Sequence, residues 1–195
     1  MKLFILKYFA AFSLMSVIAF CACAGLLKTY NMKNCDYSYK SVGDVTISNI
    51  NVSNGISIVD TPKILLLLSS LNKSIPLNFL LTLNVKNTNN SEAAFTGMAY
   101  KVNIDGIDFT EGAVNEPFSV APGETKPLSI KIGTDITELI KKNSKDAVVD
   151  MTKNFIGLGN KKSNVRVDLR PKFLIGQQVI TSPTTIPVNF SFGGK

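Results

Sequence analysis

The chain has 195 residues, 45% of them hydrophobic, and carries a formal net charge of +7 with three Cys and no His. This length predicts one domain that folds without a disulfide or a structural metal. The absence of His excludes Ser-His-Asp and Cys-His catalytic units, and three Cys do not make a four-thiolate zinc site. We therefore expect neither a metal nor a cofactor.

The N-terminus has the pattern of an export signal. Residues 1–22 contain two lysines and 18 apolar residues and end among small side chains, as secretory signals do. The stretch Phe20-Cys21-Ala22-Cys23 is similar to a bacterial lipobox, in which small Ala22 precedes a Cys23 that carries the lipid. Cys21 is the second choice, because bulky Phe20 precedes it directly. These residues predict a lipoprotein signal peptide over 1–22 and a protein anchored in the bacterial cell envelope, at the outer membrane.

Two other fates of the leader are compatible with the same residues. Cleavage after Ala24 would release a soluble exported protein that begins at Gly25. Alternatively, the uncharged run over residues 8–27 has about the 20 residues that a membrane-spanning helix needs. In the lipidated protein Cys35 is the one remaining thiol, and we expect it to be buried, with pairing to a partner protein as the alternative. Loss of two lysines lowers the net charge to +5, which suits anionic envelope components rather than nucleic acid.

The body of the chain reads as alternating strands. After a tether over residues 23–40, residues 41–195 form a single predicted β-domain. Val45 and Ile47 share one parity, and a change of parity between Ser48 and Asn49 indicates a β-bulge or an irregular first strand. The longest alternation runs from Leu77 to Val85, which is the strongest strand pattern in the chain.

Turn-forming residues separate the later strands. Asp105-Gly106 lies between two alternating runs and predicts a β-hairpin, and Pro122-Gly123 marks another turn. Further alternation covers residues 118–120, 128–132, 165–169 and 188–192. Seven or more short strands predict a mainly β protein with a β-sandwich architecture.

Three segments follow helical spacing instead. Thr61-Pro62 resembles a cap with Pro at the first position of a helix over residues 63–71, although residues 64–68 could equally form a buried strand. Asp135 opens a second short helix over residues 135–142, which ends in two lysines. A third helix follows Ser144 and ends at Gly157. Its apolar face is predicted to contain Ala147, Val148, Met151 and Phe155.

The search for catalytic groups is negative. The candidate carboxylates are Asp105, Asp108, Glu111 and Glu116, but the two aspartates flank a predicted turn, where Asp is the expected residue. Asp-Gly-Ile-Asp has too few ligands for a calcium loop. We therefore predict no catalytic residues and no enzymatic activity; clustering of Asp105, Asp108 and Glu111 in one concave pocket would reopen that question.

A family resemblance rests on four motifs in order. They are Asn34-Cys35-Asp36-Tyr37, Leu83-Asn84-Val85-Lys86-Asn87-Thr88-Asn89, Tyr100-Lys101-Val102-Asn103-Ile104-Asp105-Gly106 and Ser182-Pro183-Thr184-Thr185-Ile186-Pro187-Val188. Residues 74–139 resemble the late embryogenesis abundant type 2 domain, also called the water-stress and hypersensitive-response (WHy) domain. In that family Pro stands where this chain has Thr88. The wider arrangement resembles bacterial envelope lipoproteins that carry this domain.

The resemblance implies an immunoglobulin- or fibronectin-like β-sandwich, no catalytic residues and an association with stress. With the helical spacing described above, the expected fold is such a sandwich of about seven or more strands with two or three short helices. Together with the leader, it predicts a non-enzymatic, lipid-anchored envelope protein with a binding or structural role. Its partners would be the membrane, through the N-terminal lipid, and a protein or envelope polymer, but no nucleic acid. The alternative is a carrier of an apolar or amphiphilic ligand, held between the sandwich and the helices at residues 64–68 and 148–155.

Overall fold

A computed structural model describes residues 27–28, 30–70, 73–175 and 177–194, and this part of the chain is mainly β. Its eleven strands are β1 (Asp36–Ile47), β2 (Ile50–Asn51), β3 (Pro76–Lys86), β4 (Ala93–Phe95), β5 (Gly97–Ile104), β6 (Ile107–Val114), β7 (Phe118–Val120), β8 (Thr125–Asp135), β9 (Ser163–Ile175), β10 (Gln178–Thr181) and β11 (Ile186–Phe192). Three helices follow the lead-in (residues 27–28 and 30–35): α1 (Asp60–Ser70), α2 (Ile136–Ile140) and α3 (Lys145–Phe155). The lead-in is itself helical at residues 27–28 and 30–33. The predicted mainly β class is confirmed.

The strands form two principal sheets, and all pairings are antiparallel. The first sheet has the order β2-β1-β3-β8 and the second the order β10-β9-β5-β6. β11 also pairs with β9, and β4 pairs with β7 as a separate two-stranded ribbon. An immunoglobulin- or fibronectin-like arrangement of these strands stays a prediction.

The alternation in β3 is the centre of the core, as predicted. Leu77, Leu81, Leu83 and Val85 are fully buried and Phe79 is nearly so, because a pleated strand sends every second side chain to the same face. The Phe79 ring lies 5.9 Å from the ring of Phe109 on β6, measured between centroids. The two principal sheets therefore face each other across a shared apolar core.

The predicted hairpin at Asp105-Gly106 is confirmed. Ile104 on β5 pairs directly with Ile107 on β6, so the loop has two residues, and both have positive φ, 52° at Asp105 and 84° at Gly106. Two successive left-handed residues match the twist of a hairpin, and Asp-Gly tolerates them well.

The first strand is irregular, as predicted, but the change of parity after Ile47 has a different cause from a bulge. Ser48 and Asn49 both have positive φ, 47° and 66°, and Ile47 pairs with Ile50. The parity change is therefore a second two-residue turn. The irregularity of β1 lies earlier, where its register with β3 shifts twice, between Tyr39 and Ser41 and between Gly43 and Thr46.

Residues 64–68 belong to helix α1 rather than to a strand. The predicted cap at Thr61 is wrong, because the helix begins at Asp60 and Ser57 caps it. The Ser57 hydroxyl accepts a hydrogen bond from the Asp60 amide at 3.0 Å and donates one to the Asp60 carboxylate at 2.7 Å. Ile64 and Leu68 are buried and Leu67 packs against the core, whereas Leu65 and Leu66 are exposed.

The other two helices close the same end of the sheets. The second helix is confirmed but is shorter than predicted, because Asp135 caps it from outside and it ends before Lys141 and Lys142. Ser144 precedes α3, but its side chain makes no capping hydrogen bond, and Ala147 is exposed rather than on the apolar face. Phe155 of α3 is fully buried, with its ring 4.8 Å from Phe79 and 5.1 Å from Phe192. The buried faces of α1 and α3 thus complete the core of the sheets.

Candidate functional site

The two ends of the sheets differ in character. One end carries the three helices and the Asp105-Gly106 turn. The other, which we call the tether end, carries the lead-in (residues 27–28 and 30–35), the turn over residues 87–90, the β4–β7 ribbon and the turn between β9 and β10. The first two motifs behind the family resemblance, around Cys35 and around Asn87, meet at the tether end.

Asn87 is the centre of a buried polar cluster. Its side chain is completely buried at the end of β3. The amide nitrogen donates hydrogen bonds to the carbonyl oxygens of Ser91 and Val120, both at 2.9 Å. The amide oxygen accepts hydrogen bonds from the backbone and side-chain nitrogens of Asn89, at 3.0 and 2.7 Å. A buried amide with its donors and acceptors satisfied fixes the conformation of the turn around it.

The lead-in is fastened to this turn by side-chain hydrogen bonds. The Asn31 amide nitrogen donates to the Ser91 hydroxyl at 2.7 Å and to the Glu92 carbonyl at 3.0 Å. The Thr88 hydroxyl donates to the Asn34 carbonyl at 3.0 Å. The motifs around Cys35 and around Asn87, 52 positions apart in the chain, are therefore one structural unit, which spacing alone did not predict.

Cys35 is buried, as expected, and its environment keeps the thiol protonated. Burial, and secondarily the negative charge of Asp36, raises the pKa of the Cys35 thiol to about 11. The Tyr37 hydroxyl donates a hydrogen bond to the Met32 carbonyl at 2.9 Å, and burial raises its pKa above the ordinary value. Since the thiolate is the reactive form of Cys, Cys35 has the properties of a structural residue rather than of a nucleophile.

An open apolar groove of about 480 Å³ lies beside the lead-in. Its lining includes Phe95, Phe118, Phe173 and Leu174, with Lys28 and Lys126 among them. The rings of Phe95 and Phe118 stack with their centroids 5.3 Å apart. The Lys126 ammonium lies 5.3 Å from the centroid of Phe118 and donates a hydrogen bond to the Ser119 carbonyl at 3.1 Å.

The predicted carboxylates do not assemble a catalytic pair. Asp105 accepts a hydrogen bond from the Asn164 amide at 2.8 Å, a structural role in the turn. Asp108 and Glu111 line one open concavity of about 550 Å³, whose lining does not include Asp105. Hydrogen bonds from Lys101, at 2.7 Å, and from Asn103 lower the pKa of Asp108. An ionised, exposed Asp108 does not supply the proton of a general acid at neutral pH.

Metal and membrane-spanning features are absent from the described ranges. No group of three or more Cys, Asp or Glu residues there has metal-binding geometry. Over the same residues no helix has the length and apolar character needed to cross a bilayer. The predicted lipid attachment site, Cys23, and the second choice, Cys21, lie outside the described residues.

Comparison with known proteins gives a match to one family model. The model described as Late embryogenesis abundant protein matches residues 82–189, which is more than half of the chain. No curated protein matches significantly.

Three solved structures have low overall similarity to the chain. A crystal structure of a protein from Archaeoglobus fulgidus is 17% identical, covers 81% of this chain and 98% of its own, and has a TM-score of 0.39. A solution structure from Arabidopsis thaliana is 12% identical, covers 82% of both chains, and has a TM-score of 0.43. A putative late embryogenesis abundant protein is 13% identical, covers 95% and 87%, and has a TM-score of 0.40.

Proposed function

Because this chain belongs to the late embryogenesis abundant protein family, we propose that it is a non-enzymatic, stress-related protein that a lipid on Cys23 anchors in a bacterial cell envelope. Family membership suggests the stress-related and non-enzymatic role, and the leader motivates the anchor. We propose also that its sheets form an immunoglobulin- or fibronectin-like sandwich that binds a protein or an envelope polymer, or has a structural role there.

The leader carries the anchoring proposal, and the attachment of the lead-in determines how an anchor at Cys23 would hold the domain. Asn31 and Thr88 fasten the lead-in to the folded domain. Five positions separate Cys23 from Lys28, so the two are at most about 18 Å apart even in a fully extended chain. A lipid on Cys23 would therefore hold the domain close to the bilayer and by its tether end.

Metabolic labelling with palmitate tests the anchor. Wild-type cells are compared with Cys23→Ala and with Cys21→Ala as the matched control. We expect label on the wild type and on Cys21→Ala, and none on Cys23→Ala. The opposite pattern would move the lipid to Cys21, and equal label on both variants would remove Cys23 as the acceptor.

Complementation of a deletion strain tests the stress-related and non-enzymatic role. We expect lower survival after drying or osmotic shock without the protein, restored by the wild type and equally by the double variant Asp108→Asn, Glu111→Gln. Equal survival of the deletion strain and the wild type would contradict a stress role. Loss of rescue by the folded double variant would contradict the absence of catalytic carboxylates.

Binding of an amphiphilic ligand is the second candidate function, and the groove at the tether end favours it. Its aromatic lining suits an acyl chain, and the ammonium of Lys126 suits an acidic headgroup. The site would then lie at the tether end, away from the helices at residues 64–68 and 148–155, whose buried residues are part of the core. Native mass spectrometry of the protein extracted from membranes should show a lipid adduct that is reduced in Phe118→Ser. A clean apo mass would contradict this function.

A further inference from the structure

Apart from Tyr39 on β1, the exposed large apolar side chains of the described residues fall into two groups. Leu27, Tyr30, Leu174 and Val179 belong to the elements of the tether end and are called the tether-end patch; Ile58, Val59, Leu65 and Leu66 lie on α1 or just before it and are called the α1 patch. A small soluble domain rarely exposes such residues in groups, and grouped exposure marks a contact surface. The α1 patch precedes β3 in the chain, and the tether end lies beyond the last residue of that strand, which has 11 residues and is about 36 Å long.

The tether-end patch is built on a strand turn beside the lead-in. Leu174 on β9 and Val179 on β10 are direct cross-strand partners, and 48% and 61% of their respective surfaces are exposed. Leu174 lines the same groove as Lys28 and Lys126. The turn between β9 and β10, the lead-in and two ammonium groups therefore share one surface.

We propose that this surface is the face that contacts the bilayer. Leu174 and Val179 enter the boundary between headgroups and acyl chains, and the ammonium groups of Lys28 and Lys126 lie at the level of the lipid phosphates. The inference rests on the proposed anchoring at Cys23 and adds a defined orientation to it. The sandwich then stands with its helices away from the membrane.

Three observations favour a lipid surface over a protein partner at this position. The chain enters the folded domain here, within about 18 Å of Cys23 along the extended chain, so the surface is near the bilayer whenever the anchor is inserted. Lys126 has no carboxylate partner among the ion pairs of the described residues. Lys28 forms an ion pair with Glu92, with 2.6 Å between the charged atoms, and both side chains of this pair are exposed. Such exposed pairs are weak, so both ammonium groups are available to phosphate.

The α1 patch shows that exposure alone does not identify the membrane face. Ile58 is 93% exposed, more than either residue of the β9–β10 turn, yet α1 lies at the opposite end of β3. A domain held at the tether end would hold Ile58 away from the bilayer. Ile58 is therefore a matched control position, since it is apolar and exposed but predicted to remain in water.

The test uses the full chain purified from membranes and reconstituted into vesicles of phosphatidylethanolamine with a minority of phosphatidylglycerol. Val179→Cys and Ile58→Cys are each labelled with an environment-sensitive fluorophore, and the wild type labelled in parallel gives the background of the native thiols. Flotation first establishes that each protein is bound to the vesicles. Quenchers are then presented either on the lipid acyl chains or in the aqueous phase.

We expect the label at position 179 to gain several-fold in intensity, to be quenched by the acyl-chain quencher and to be protected from the aqueous one. The label at position 58 should show the reverse. Two results with vesicle-bound protein would overturn the orientation but leave the anchor intact. Either the label at position 179 remains fully exposed to water, or the label at position 58 is the one quenched from the acyl chains. Wild-type protein that does not float with the vesicles overturns the anchor, and the orientation with it.

Discussion

Replacement of Asn87 by Ala should loosen the attachment of the lead-in more than any other single change in that turn. The buried amide of Asn87 satisfies the Val120 and Ser91 carbonyls, at 2.9 Å each, and accepts from Asn89. A buried polar group left without its partner costs about 1–3 kcal/mol. Asn89 can turn towards water, so the cost comes mainly from the two carbonyls. We expect a loss of about 3 kcal/mol of unfolding free energy.

Cys35 provides the assay, because its thiol is buried within the same cluster. Burial and a pKa of about 11 protect it from thiol reagents in the folded protein. If modification requires opening of the lead-in, a loss of about 3 kcal/mol accelerates the reaction about 100-fold. The Cys35→Ser chain measures the contribution of Cys21 and Cys23. Denaturant titration followed by circular dichroism gives the free energy independently.

Asn90→Ala is the matched control, since Asn90 is an exposed residue of the same turn. Exposed substitutions of this kind change stability by about 0.5 kcal/mol or less. The reasoning fails if Asn87→Ala resembles Asn90→Ala in both assays. An unchanged thiol rate together with a lower midpoint would show that the cluster stabilises the sheets but does not hold the lead-in.

Three further predictions test other parts of the fold. Partial burial raises the pKa of Asp135, but hydrogen bonds from Ser74, Thr137 and nearby amides outweigh this effect and lower the pKa to about 2. Lowering the pH from about 4 to about 2 should therefore remove about 1–2 kcal/mol of unfolding free energy, after allowance for solvent exposure. In Asp135→Asn the unfolding free energy should change less over this pH range. Thr88→Pro introduces the residue typical of the family, and its unfolding free energy, measured by calorimetry, should lie within about 1 kcal/mol of the wild-type value. The variant loses the hydrogen bond of the Thr88 hydroxyl to Asn34, but Pro restricts the unfolded chain and so offsets that loss. A much larger decrease would show that the turn does not accommodate Pro. Gly106→Ala should lower stability by about 1–2 kcal/mol because φ there is 84°, whereas Gly43→Ala, where the added methyl group would meet only open space, should not; equal effects would contradict the turn assignment.

The parts of the fold that sequence predicted are those with a strong local pattern. The alternation of β3 and the Asp105-Gly106 turn need only neighbouring residues for their interpretation, and both are confirmed. The sequence did not identify Ser57 as the cap of α1, because Ser57 lies three residues before the helix begins at Asp60. Thr61, followed by Pro62, was an equally plausible cap but lies within the helix. The short strand β4 was missed because its three residues have no alternation of their own, and pairing with β7 defines it.

The tether end was the least predictable region, because its structure depends on contacts between distant parts of the chain rather than on a local pattern. Its polar cluster and its groove join residues that are far apart in sequence, and no spacing rule connects Asn31 with Ser91 or Lys28 with Leu174. The signal that did exist was the succession of Asn-rich motifs, which indicated a family but not a contact. Cys23 was singled out by peptidase chemistry rather than by folding, so its lipid remains a prediction.

The stacking of Tyr39 on Phe190 constrains when the fold can close. These rings, 4.4 Å apart between centroids, join β1 to β11, the first strand to the last. β11 also pairs with the first half of β9, from Ser163 to Leu169. A chain that emerges with its N-terminus first exposes β1 before β11, so Tyr39 and Phe190 cannot stack until β11 has emerged. Long-range closure of this kind is slow, and the edge between the two sheets therefore stays open until late in folding.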